Sequence, residues 1–157
     1  MPHNRKRVTM STNRKILKVI SIIGLVLDII LLICGILLFM GISMDPDGAI
    51  DIATKNPVAN FTGQETVGML LGASVAAVIY GIWDCFVSFM GIRGANNPSK
   101  MGFVTVIAGI SLAITVVGTI AGIVAGSFDF GDLFQVAFEG VFFYICYMVR
   151  EEGKKQA

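Results

Sequence analysis

Histidine is nearly absent from this 157-residue chain, with a single residue, His3, in a basic N-terminal stretch. A lone histidine there cannot supply a histidine-based acid-base pair or a zinc pattern. No Ser-His-Asp set, Walker glycine loop or cysteine-histidine metal motif is present, and we expect no enzyme, no metal and no cofactor. Cysteine is sparse too. Cys34, Cys85 and Cys146 all lie in apolar stretches at three different depths, so neither a disulfide framework nor a shared metal site is expected. Charged residues make up only 15% of the chain and the net charge is +1, which offers no basic surface for nucleic acid.

What fills the space is apolar: 55% of residues are hydrophobic and the mean hydropathy is +0.78. A soluble domain of this length cannot hide so much apolar surface in one core, whereas a bilayer acts as solvent for it. Four apolar blocks are long enough, or nearly so, to cross a hydrocarbon core of roughly 30 Å. They run over about 16–43, 66–92, 101–125 and 133–149, with a basic segment at 1–15 and a tail at 150–157. The expected fold is an all-α, polytopic integral membrane four-helix bundle, running up-down-up-down. The first block is too long for a secretory signal and lacks its cleavage site, so it reads as a retained anchor.

Basic residues set the expected orientation. Arg5, Lys6, Arg7, Arg14, Lys15 and Lys18 precede the first span or open it, Arg93 and Lys100 flank the second connection, and Arg150, Lys154 and Lys155 follow the fourth. Lys55 alone falls on the other side. The positive-inside bias then puts both termini in the cytoplasm of a plasma-membrane protein.

Connections carry their own signals. In Gly94-Ala95-Asn96-Asn97-Pro98 the glycine suits a left-handed helix end, Asn97 an N-cap and Pro98 a first helical position, giving a tight turn. The outer connection from about Met44 to Glu65 contains Pro46, Gly48, Pro57 and Gly63, so no continuous regular element is expected there. Asp45-Pro46-Asp47-Gly48 with Asp51 departs from a calcium loop in its glycine position and reads as a polar turn. Asn60-Phe61-Thr62 is a formal glycosylation sequon. Phe128, Phe130 and Phe134 suit the outer membrane interface of the last hairpin.

Three acids stand inside the spans: Asp28, Asp84 and Glu139. Each lies nine to eleven residues from Lys18, Arg93 or Arg150, so all three fall roughly 14 to 17 Å from the basic face, near the midplane. A charged carboxylate there costs at least about 2.5 kcal/mol, so these acids should face protein or water. They are the candidate proton or cation site. The plainer reading is that hydroxyls and backbone of neighbouring helices hold them and that they hold the bundle together. Small and polar residues share their stripes: Ser21, Gly24 and Gly35 with Asp28; Ala77, Gly81, Ser88 and Gly91 with Asp84. On the fourth span Glu139, Phe143 and Tyr147 align. Gly68 and Gly72, and Gly118, Gly122 and Gly126, repeat at four-residue spacing, as in close helix packing inside the bundle or, alternatively, in a homo-oligomer.

The segment Gly91-Ile92-Arg93-Gly94-Ala95-Asn96-Asn97-Pro98-Ser99-Lys100, set between the second and third spans, resembles the corresponding loop of small uncharacterised four-helix membrane proteins of Gram-positive gut bacteria. That resemblance implies a bacterial inner-membrane protein and carries no activity or site residue. The acid in the first span is also similar to that of small multidrug-resistance transporters, from which this chain departs in its added outer loop and its further acids. The expected function is a non-enzymatic accessory or scaffold component acting through helix contacts and the outer loop. Its partners are the lipid bilayer and another membrane protein or a second copy, with no nucleic acid. The alternative is a small proton- or cation-coupled transporter or channel using the three acids.

Overall fold

The computed structural model describes residues 10–55, 61–125 and 129–155, and among these every regular element is helical. Helix α1 spans Thr12–Met44, α2 Pro46–Lys55, α3 Gly63–Asn96, α4 Met101–Ala125 and α5 Phe130–Lys155, with one 3-10 turn at Pro98–Lys100. Four stretches, Thr12–Met44, Gly63–Asn96, Pro98–Val124 and Phe130–Lys155, are long and apolar enough to cross a membrane. His3, the Arg5-Lys6-Arg7 cluster, Pro57, Asn60 of the sequon, Gly126 and Phe128 lie outside the described residues.

Most helices extend past their expected ends because polar residues read as loop are in fact caps. The Ser11 hydroxyl accepts the Arg14 amide at 3.4 Å and opens α1. Thr62 and Glu65 form a reciprocal capping box before α3: Glu65 N–H donates to Thr62 Oγ1 at 3.3 Å, and Thr62 N–H donates to Glu65 Oε2 at 2.9 Å. Asp129 and Asp132 repeat the arrangement at α5, where the Asp132 amide donates to Asp129 Oδ1 at 3.2 Å and the Asp129 amide to Asp132 Oδ2 at 3.1 Å.

Within the connection between the first two spans, Pro46–Lys55 is helical where its prolines and glycines suggest an irregular loop. Pro46 takes the first position of α2, where its missing N–H costs nothing, and Asp45 Oδ1 caps the Gly48 amide at 3.0 Å. The turn between α3 and α4 also differs in detail. Gly94 does not end a helix but lies within α3, where a Cβ would stand 2.5 Å from Met101 Sδ and 3.0 Å from Val104 Cγ2. The absence of a side chain there admits α4 rather than a left-handed turn. Asn97 and Pro98 hold their expected places before and at the start of the 3-10 turn, although the Asn97 side chain caps nothing.

The chain divides into two compact units, one of residues 1–23 with 87–157 and one of residues 24–86. In the first, α4 and α5 run antiparallel. Thr105 Oγ1 donates to the Met101 carbonyl at 2.7 Å and reaches the Cys146 carbonyl at 3.4 Å, Gly109 admits the Phe143 ring, and Thr115 meets Glu139. Leu17, Ala95, Met101, Cys146 and Val149 are fully enclosed. Gly91 receives Ser21 and Phe142, whose Cζ would stand 2.8 Å from a Cβ on the glycine. The polar end is stapled. Arg14 Nε donates to the Ala95 carbonyl at 2.8 Å and its Nη2 to the Asn96 carbonyl at 3.1 Å, satisfying the last turn of α3. Ser11 Oγ donates to Glu152 Oε2 at 2.7 Å, and Asn13 Nδ2 to Glu152 Oε1, tying α1 to α5.

In the second unit α1 and α3 run antiparallel, with Gly35 against Ala77 and Ser74, and Gly81 against Leu32. Helix α2 folds back on their ends. Ala53 joins Ile42 and Val67 in a small core flanked by Ala49, Ile50 and Leu71. Gly63 fits under α2, since a Cβ there would stand 2.8 Å from the Ile50 carbonyl oxygen.

Three of the glycines at four-residue spacing have open space beside them. A Cβ at Gly68, Gly72 or Gly118 would meet no atom within 4 Å. Gly122 is half-exposed. Close approach falls instead to Gly35, Gly81, Gly91 and Gly94, where a partner helix crosses.

Candidate functional site

The three intramembrane acids fall in two places. Asp28 on α1 and Asp84 on α3 belong to the second unit. There the antiparallel register pairs Gly35 with Ala77 and Leu32 with Gly81, so one further turn carries Asp28 level with Asp84. Both side chains are half-buried. The shared stripe of small residues explains how two acids come level: Gly35, Ala77 and Gly81 let the helices approach, and the acids occupy the next turn of the same faces.

Glu139 belongs to the first unit and projects from α5 toward α4. Its Oε1 accepts a 2.6 Å hydrogen bond from the Thr115 hydroxyl, while its Oε2 is buried and has no hydrogen-bond partner among the described residues. Of the residues aligned with it on α5, Phe143 packs on Gly109 and Tyr147 is exposed. Thr115 is the partner that sequence reasoning missed. The signal was there in the level: Thr115 is ten residues before the end of α4 and Glu139 nine after the start of α5, so a hairpin brings them together.

Buried hydroxyls recur in both units. Ser21 donates to the Leu17 carbonyl at 2.7 Å and Ser74 to the Leu71 carbonyl at 2.8 Å, so these serines satisfy themselves on their own helices and leave the faces small. Cys34 is exposed, Cys85 half-buried and Cys146 buried, all three as free thiols. Among the described residues no group of three or more His, Cys, Asp or Glu side chains is arranged to hold a metal ion.

The chain matches no protein-family model, and neither a curated protein nor a solved structure shows significant similarity to it.

Proposed function

We propose that this protein is a non-enzymatic accessory or scaffold component of a bacterial plasma membrane, working through helix contacts and the segment between its first two spans. The orientation that goes with this reading is up-down-up-down with both termini cytoplasmic, as the positive-inside bias requires. The observation that carries it is α2. A connection used only to join two spans needs no cap, no core and no glycine cut to fit beneath it, yet α2 has all three in Asp45, the Ile42-Ala53-Val67 cluster and Gly63. Built this way, the helix presents a defined polar face with Asp47, Asp51 and Lys55 exposed. A photo-crosslinking residue at Asp51 tests the reading in native membranes. One discrete adduct, lost on reversing the charges of Asp47 and Lys55, is expected; no adduct beyond lipid would overturn it.

A second reading, a small proton- or cation-coupled transporter, draws support from Asp28 and Asp84 standing level across α1 and α3. Gradient-driven flux in proteoliposomes separates the two. Flux abolished by Asp84→Asn would favour transport, and its absence from folded, oriented protein would leave the acids as contacts between helices.

A further inference from the structure

Glu139 makes one more demand than a helix-to-helix contact explains. The Thr115 hydrogen bond satisfies Oε1, but Oε2 is shut away from solvent without a donor. Thr105, on the same pair of helices, reaches the Cys146 carbonyl with a neutral hydroxyl and leaves no such remainder. A bare carboxylate oxygen in an apolar slab carries a desolvation cost of several kcal/mol, and a small positive charge offsets it best.

Among the described residues no side chain nearby provides that charge. Helix α4 contains no charged or titratable residue along its whole length. On the Glu139 face of α5 the titratable side chains are Asp132, two turns before it, and Cys146 and Tyr147, two turns on, and the nearest basic one is Arg150, eleven residues on or about 16 Å. The other described cations of this unit, Arg14, Lys15, Lys18, Arg93, Lys100, Lys154 and Lys155, belong to the start of α1, the end of α3, the 3-10 turn and the end of α5, where Arg14 meets Ala95 and Asn13 meets Glu152.

We propose that the Thr115–Glu139 pair is an intramembrane binding site for a bare monovalent cation, a proton or an alkali metal ion, with Glu139 Oε2 as the atom that takes it. Thr115 holds the carboxyl through Oε1 and so aims Oε2. A proton needs Oε2 alone; an alkali ion needs more oxygens, for which Oε1 and the Thr115 hydroxyl stand in the same pair. The site is independent of the accessory reading, because it concerns what the hairpin binds rather than what α2 contacts.

The full chain, reconstituted in phosphatidylcholine vesicles, can be treated with dicyclohexylcarbodiimide and mapped by mass spectrometry. In this reaction the carboxyl proton moves to a carbodiimide nitrogen as the carboxyl oxygen bonds the central carbon. The O-acylisourea then rearranges to an N-acylurea, so the peptide gains the whole reagent and loses nothing. An adduct at Glu139 is expected. Protection of several-fold by sodium at fixed pH identifies an alkali ion; loss of labelling on raising the pH, with no effect of sodium, identifies a proton. Thr115→Val should change the labelling rate several-fold and Thr115→Ser should restore it. An unlabelled Glu139 in protein with native helical content, or labelling indifferent to both sodium and pH, overturns the proposal. Because the decisive readout uses the wild-type chain, it survives even if Thr115→Val fails to fold.

Discussion

Leu32 and Gly81 approach so closely that a Cβ on the glycine would stand 3.1 Å from Leu32 Cβ and 3.2 Å from its Cα. Backbone meets backbone here, and the room cannot be recovered by rotating a side chain. Gly81→Val should therefore destabilise the protein by about 1 to 3 kcal/mol, as overpacking does elsewhere. Thermal unfolding in detergent micelles measures it.

Gly68, Gly72 and Gly118 form the matching control. With nothing within 4 Å of a Cβ, Gly68→Ala and Gly118→Ala should leave stability within about 1 kcal/mol of the wild type and lean toward stabilisation by reducing backbone freedom. A large loss at Gly118 that grows with dilution would instead mean that a second copy covers it, which crosslinking in membranes would detect.

Arg14 should matter more than a surface arginine. Arg14→Ala removes two donors from the carbonyls of Ala95 and Asn96, and a charge-assisted contact of this kind is worth about 1 to 2 kcal/mol when partly exposed. Hydrogen exchange should accelerate in the last turn of α3 and nowhere in α2. A double-mutant cycle of Asn13→Ala with Glu152→Ala should show coupling, since the two side chains share one hydrogen bond.

Thr62→Val should fray the start of α3. It removes the hydroxyl that accepts the Glu65 amide, at a cost of about 0.5 to 2 kcal/mol, while Thr62→Ser should be nearly neutral. Amide exchange at Gln64 and Glu65 reports this directly.

The membrane character and the number of spans were legible because twenty-odd apolar residues in a row admit few other readings. Helix ends were less so. Thr62-x-x-Glu65, Asp129-x-x-Asp132 and Asp45-Pro46 are all start signals, yet each was hidden by the turn-forming reputation of its neighbours. The small-residue stripe through Gly35, Ala77 and Gly81 was readable because it lies on one face with the acids. At Gly68, Gly72 and Gly118 the four-residue spacing shows that a face is small and not that a neighbour within the chain occupies it. Thr115 against Glu139 needed the hairpin register, which no local pattern supplies.

Orientation yields to chemistry as well. In a cysteine-free background, Lys55→Cys should react with an impermeant thiol reagent in intact cells. Lys100→Cys and Lys154→Cys should react only after the membrane is opened. The reverse pattern would invert the whole topology.

The 33 residues of α1 make it about 50 Å long, against a hydrocarbon slab of roughly 30 Å. Its polar first turns absorb part of that surplus, but the stretch from Val19 to Ile42, polar only at Ser21 and Asp28, is still about 36 Å. Hydrophobic mismatch follows. The host bilayer's thickness becomes a variable that the protein senses, so its stability should rise with lipid chain length until slab and helix agree.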